Sequence, residues 1–183
     1  MSDTTNSTVL VLVGSLRAGS INRQLAEVAV ETAPDGATLE VFDRLGELPF
    51  YNEDIDNDDV PEPVAALRAA AARADAALVV TPEYNGSIPG VLKNAIDWLS
   101  RPYGNSALKD KPLAVVGAAL GQYGGVWAHD ETRKSFGIAG PRVVEGLELS
   151  IPTATLDGKQ PHEHEETVAR LREIVGKLIA EVG

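Results

Sequence analysis

The sequence predicts an α/β fold, a three-layer sandwich in which helices cover both faces of a parallel sheet. Four short apolar runs recur along the chain, each bounded by turn residues and apolar at nearly every position. Strands covered on both faces have that pattern, whereas half-exposed strands alternate. Between the runs lie stretches whose apolar residues return every three or four positions, the period of an amphipathic helix. Strands alternating with helices build βαβ units with right-handed crossovers. At 183 residues, 44% hydrophobic and 23% charged, one domain over residues 1–183 with a sizeable core is expected.

Taken in order, residues 8–13 (TVLVLV) read as the first strand and 21–32 as the helix that follows. Residues 38–42 (TLEVF) form the second strand, followed by a long acidic connection from Glu53 to Glu62 and a helix over 63–73. Like-charge blocks stay hydrated, so the connection reads as a solvated loop, and its spacing does not match the Ca²⁺ loop pattern with a central Gly and a terminal Glu. The third strand is 76–80 (AALVV) with a helix over 89–99, and the fourth is 112–117 (PLAVVG) with a helix over 123–136. Residues 142–149 contain Gly146 and alternate in polarity, as an edge strand does. A last helix over 163–182 places Val168, Leu171, Ile174, Val175, Leu178 and Ile179 on one face.

Composition excludes several classes. Sixteen Lys and Arg stand against 27 Asp and Glu, a net charge of −11, which disfavours nucleic acid and repels an anionic membrane. Cys is absent, so thiolate nucleophiles and zinc–thiolate sites are excluded. The N-terminal MSDTTNST lacks the basic and apolar segments of a leader, and no run reaches the roughly 20 apolar residues that cross a bilayer. A cytoplasmic protein is expected. His162 and His164 are spaced two apart, wrong for a helical metal face, and read as a helix entry; His129 reads as structural or exposed, and no metal site is expected.

In a doubly wound sheet, ligands bind beyond the carboxyl ends of the strands. The first such loop, GSLRAGSIN over 14–22, has Gly14 and Gly19 for tight turns, Ser15, Ser20 and Asn22 as neutral donors, and Arg17 as a charged one. The next helix aims its free N–H groups and positive dipole end at this loop, which suits a terminal phosphate. A Walker loop needs Lys where Ser20-Ile21 stands, and the dinucleotide fingerprint needs Gly at Leu16, leaving a monophosphate-bearing ligand. The same residues also read as an ordinary loop whose Ser caps a helix. The second loop, TPEYNGSIPG over 81–90, offers an aromatic for a planar ligand; the third, GAALGQYGG over 117–125, offers backbone amides at close approach.

These segments carry a resemblance. GSLRAGSINRQLA, LPFYNEDID, TPEYNGSIPGVLKNAIDWLSRP and KPLAVVGAALGQYGG, in this order, resemble the NADPH-dependent FMN reductase family of the flavodoxin-like superfamily, which includes quinone, azo-dye and chromate reductases. The resemblance implies a flavodoxin-like five-stranded parallel sheet of order 2-1-3-4-5, bound FMN, NADPH or NADH as co-substrate, and a small-molecule electron acceptor. Ser15, Arg17, Ser20, Ile21 and Asn22 match the FMN phosphate loop. Pro82, Glu83, Tyr84 and Asn85 match the segment along the ribityl chain and isoalloxazine edge, and Ala119, Gly121, Gln122 and Gly124 fall in the loop near the pyrimidine end. Ala118 and Ala119 stand where the family has hydroxyl residues, so backbone amides are expected to serve. The implied reaction is ping-pong hydride transfer from NAD(P)H to flavin and on to a quinone, azo compound, metal oxyanion or free flavin, with no catalytic side chain. A homodimer or homotetramer is also implied, with Glu83 and Arg101 candidates for an intersubunit pair and Trp98 at an interface or in the helix core.

Two rivals share the fold. A non-enzymatic flavodoxin-like electron carrier tends to use a Thr-rich phosphate loop, whereas this one is built on Arg17 and Asn22. A receiver domain needs acids after strand one and a phosphoacceptor Asp after strand three, where this chain has Gly14-Ser15 and Thr81-Pro82. The acidic surface is expected to favour solubility, with stability rising with salt.

Overall fold

A computed structural model describes residues 6–183; residues 1–5, on which part of the expectation about a leader falls, lie outside it. Strands β1 (Ser7–Val13), β2 (Ala37–Phe42), β3 (Ala76–Val80), β4 (Pro112–Ala119) and β5 (Arg142–Pro152) form one sheet. Its order is β2-β1-β3-β4-β5, and every pairing is parallel. Helices α1 (Ile21–Glu31), α2 (Glu62–Arg73), α3 (Gly90–Leu99), α4 (Val126–Ala139) and α5 (Glu165–Ala180) complete the sandwich.

The unbroken apolar runs follow from burial on two faces. Val9, Val11 and Val13 of β1 pack with Leu25 and Ala29 of α1 and with Leu171, Ile174 and Leu178 of α5. Leu10 and Leu12, pointing the other way, pack with Leu67 of α2, Leu92 and Trp98 of α3 and Phe136 of α4. Successive residues thus serve opposite cores, as the two-residue period of a strand requires. Among the described residues, no helix is long and apolar enough to cross a membrane.

Strand β4 runs to Ala119 rather than 117 and α5 spans Glu165–Ala180 rather than 163–182, and three further departures from expectation have a clear physical reason. Helix α4 starts at Val126 rather than 123, because Gly124 and Gly125 have φ of 63° and 93°, outside the helical region. Strand β5 is an edge strand but runs on to Pro152. It absorbs an irregularity opposite Leu113 and Val115, near Gly146 at φ 77°, as bulged edge strands do. The acidic connection is only partly a free loop: Asp56 pairs with Arg68 at 2.9 Å, and Arg68 also donates to the Trp98 carbonyl.

Trp98 belongs to the core. It is fully buried, its Nε1 donates to the Pro49 carbonyl at 2.8 Å, and it meets Tyr51 edge-on at 4.9 Å between ring centres. His164 caps α5 by accepting the Thr167 N–H, as a helix entry does.

Candidate functional site

The crossovers leaving β1 and β3 run to opposite sides, so the switch in strand order falls between these neighbours, where open α/β sheets bind ligands. A cavity of about 400 Å³ opens there. Ser15, Arg17, Ser20, Ile21 and Asn22 line one side, Pro82, Glu83 and Tyr84 another, and Ala119 and Gly121 a third. The three loops singled out in the sequence therefore converge.

The first loop meets α1 without closing it. Ser20 occupies the N-cap position and is buried, yet its side chain makes no capping hydrogen bond, and no acidic residue stands in the first turn. The orphan N–H groups of the helix start are left to an anion, together with the Ser20 hydroxyl and the Arg17 guanidinium. The alternative of a Ser cap is not what this end adopts. Gly14 serves a close approach rather than a turn: a Cβ there would collide with the Thr81 side chain.

Asn22 is buried at the cavity wall, and its carboxamide is committed to β4. Its Nδ2 donates to the Ala118 carbonyl and its Oδ1 accepts the Ala118 N–H, both at 2.9 Å. Asn22 is thus no side-chain donor to a ligand. The Ala118 amide is engaged as well, so Ala118 offers a ligand no backbone donor.

Behind the wall lies His129, with no exposed surface. Its Nε2 is 2.8 Å from the Thr81 carbonyl and its Nδ1 is 2.6 Å from the Ser150 hydroxyl. A carbonyl only accepts, so Nε2 carries the proton and Nδ1 accepts from Ser150. Burial holds this imidazole below its ordinary range, which favours the neutral ring, and the Thr81 carbonyl selects its tautomer. The ring ties the ends of β3 and β5 beneath the site.

Glu83 accepts the Ala128 N–H at 3.1 Å, in the first turn of α4, whose N-cap is the side-chain-free Gly125. A carboxylate at a helix start is favoured by capping and by the dipole. Within the chain Glu83 does not meet Arg101, which lies 3.5 Å from Glu53 and over the Tyr51 ring.

Three candidates stand off the cavity. Asn85 and Gly86, at φ 53° and 71°, form the corner of a tight turn closed by reciprocal Tyr84–Ser87 bonds of 3.1 Å; Asn-Gly is the usual pair for a mirror-image turn. Asn85 therefore shapes the loop while Tyr84 faces the cavity. Gln122 and Gly124 do not line it either: Gly124 presses against the backbone of Ile151 and Pro152, leaving no room for a Cβ. Ala118, Leu120 and Thr153 do line it. Thr153 was legible in principle, as every strand end at this edge can contribute, but it lies beyond the expected end of β5.

An anion-ready helix start, an aromatic wall and a loop of small residues fit a phosphate-bearing planar ligand such as FMN. The family model for NADPH-dependent FMN reductase matches residues 7–156. A quinone reductase of Pseudomonas putida is 50% identical over 127 residues, 69% of this chain and 68% of that protein. A 2-hydroxy-1,4-benzoquinone reductase of a Burkholderia species is 46% identical over 125 residues, 68% of this chain and 67% of that one. Among solved structures, the flavoenzyme NAD(P)H:(acceptor) oxidoreductase FerB from Paracoccus denitrificans superposes with a TM-score of 0.84 at 36% identity, covering 96% of this chain and 97% of that one.

Proposed function

Since the chain belongs to the NADPH-dependent FMN reductase family, we propose that it is an FMN-dependent NAD(P)H:acceptor oxidoreductase acting as a single domain over residues 1–183. Bound FMN would supply the redox chemistry of a ping-pong reaction with NAD(P)H as hydride donor and a small molecule as electron acceptor. Quinones come first among acceptors because two similar proteins are quinone reductases by name; azo compounds, metal oxyanions and free flavin follow.

The chain's own residues bind and orient. Ser15, Arg17 and Ser20, with the N–H groups of Ile21 and Asn22, would hold the phosphate at the start of α1. Pro82, Glu83 and Tyr84 bound the ring's edge, and Asn85 sets the turn that presents Tyr84. The loop from Ala119 to Gly121 would offer backbone amides to the negative charge that reduction places on a bound flavin. Gln122 and Gly124 shape that loop from behind. No side chain is needed as a nucleophile.

One observation carries this reading: the cavity lies at the switch point with an uncapped helix start on its wall. The test is to load the protein with FMN, record the flavin spectrum, and mix it anaerobically with NADPH in a stopped-flow cell. Bleaching within the mixing experiment supports a reductase, whereas a stable yellow spectrum supports the electron-carrier alternative. A cytoplasmic homodimer or homotetramer accompanies the proposal. Exposed Phe50, Tyr103 and Trp127, at 87%, 80% and 57%, supply apolar surface for association, and sedimentation velocity measures the state.

A further inference from the structure

A second cavity, of about 420 Å³, runs beside the start of α1 and is lined by Arg17, Gln24, Thr153, Lys159 and Gln160 among others. Arg17, Ile21 and Thr153 line both this cavity and the flavin cavity, so the two adjoin. The turn at Asp157 and Gly158, both at positive φ, returns the chain over α1 and brings Lys159 to the same cavity as Arg17.

Its chemistry is unlike the rest of a chain of net charge −11. No carboxylate lines it. Among the described residues, no carboxylate lies within ion-pair distance of Arg17 or Lys159, although most other cations are paired. The nearby Glu163 is committed to the backbone N–H of Gln160 at 2.9 Å. Gln24 adds an independent observation: its Oε1 is buried and accepts no hydrogen bond. Buried acceptors without donors are rare in folded proteins.

Lys159, with Arg17 at the border of the flavin cavity, makes the groove a place an anion can enter, and the lone buried acceptor of Gln24 calls for an O–H or N–H. A phosphorylated ribose brings both. We propose that this groove holds the phosphorylated adenosine ribose of NADPH, with Lys159 and Arg17 on the 2′-phosphate and Gln24 accepting from a ribose hydroxyl. The assignment deepens the reductase reading and rests on it for the identity of the nucleotide. Lys159 and Gln24 line only this cavity, so they separate its role from that of the flavin phosphate loop, where Arg17 serves both. NADH lacks the 2′-phosphate and leaves Lys159 without an anion, making this groove the selector between the two nicotinamides.

The test uses the FMN-loaded protein and its Lys159→Gln, Lys159→Arg and Gln24→Leu variants. Calorimetry measures adenosine 2′,5′-bisphosphate, 5′-AMP and inorganic phosphate, and steady-state assays give kcat/KM for NADPH and NADH. The bisphosphate is expected to bind about tenfold more tightly than 5′-AMP, as one charge-assisted contact warrants. Lys159→Gln should abolish that margin and lower kcat/KM for NADPH about tenfold through KM, with NADH changed less than twofold; Lys159→Arg should retain it. Gln24→Leu should weaken both adenosine nucleotides but not phosphate. Equal losses for NADPH and NADH, no preference for the bisphosphate, or equal binding of inorganic phosphate would overturn the assignment. Should the protein oxidise neither nicotinamide, the reductase reading fails while the calorimetry still decides the groove.

Discussion

Asn22 and Ala118, 96 positions apart, are joined by two hydrogen bonds of 2.9 Å in which the carboxamide meets both the N–H and the carbonyl of one peptide unit. The side chain acts as an added strand at the end of β4 and fixes α1 against the third loop. Replacing Asn22 with Ala strands both partners in a buried site, at a cost of about 2–3 kcal/mol. Urea denaturation should show that loss, and FMN titration should show weaker binding because two walls of the cavity lose their spacing. Asn22→Asp should be no rescue, as a carboxylate has no donor for the Ala118 carbonyl.

Arg17 has a different signature. If it and the open α1 start hold a phosphate, Arg17→Ala should raise the FMN dissociation constant roughly tenfold. Riboflavin, which lacks the phosphate, should bind wild type and variant alike. Equal weakening of both flavins in fluorescence-quenching titrations would place Arg17 elsewhere.

Glu83 joins the second loop to α4 through the Ala128 N–H. Glu83→Ala should destabilise the fold by about 1 kcal/mol, the usual worth of a helix cap, whereas Glu83→Gln keeps an acceptor and should lose less. Thermal unfolding of the two variants checks the order.

His129 makes stability depend on pH. Burial lowers its pKa from an ordinary 6.5, outweighing the hydrogen bond to the Thr81 carbonyl and the charges of Glu83 and Asp130, which favour the cation, and acting alongside Arg133, which opposes it. The unfolded chain therefore takes up this proton first as pH falls. The contribution is complete above the unfolded value and is lost as pH falls from about 6.5 towards the folded pKa. His129→Gln, which can still donate to the Thr81 carbonyl, should flatten the unfolding midpoint between pH 7 and 5 relative to wild type. Parallel curves would show that His129 does not titrate in this window.

Legibility followed the range of the interactions. The strands of the double-sided core could be read because each residue's own polarity records that it is buried, and the Asn85-Gly86 corner because a backbone angle favours its residues. The start of α4 at Val126 rather than 123 is not visible in the periodicity, because Gly124 and Gly125 take positive φ and Gly124 packs against the backbone of Ile151 and Pro152. Trp98 was ambiguous for the same reason, since only the Pro49 carbonyl and Tyr51 decide that it faces inward.

By itself the sequence determined the layers, the converging loops and the suitability of the first loop for a phosphate, because local pattern and residue chemistry suffice for those. Tertiary structure decided which groups remain available. Asn22 and the Ala118 amide satisfy each other, Glu83 caps α4 and His129 locks two strand ends, whereas among the described residues the Ser20 side chain makes no cap, Gln24 Oε1 accepts no hydrogen bond and Lys159 has no carboxylate partner. The physical reason is that a polar group's availability depends on which distant group reaches it first, and that pairing is made only when the sheet brings positions 22 and 118, 81 and 129, or 83 and 128 together.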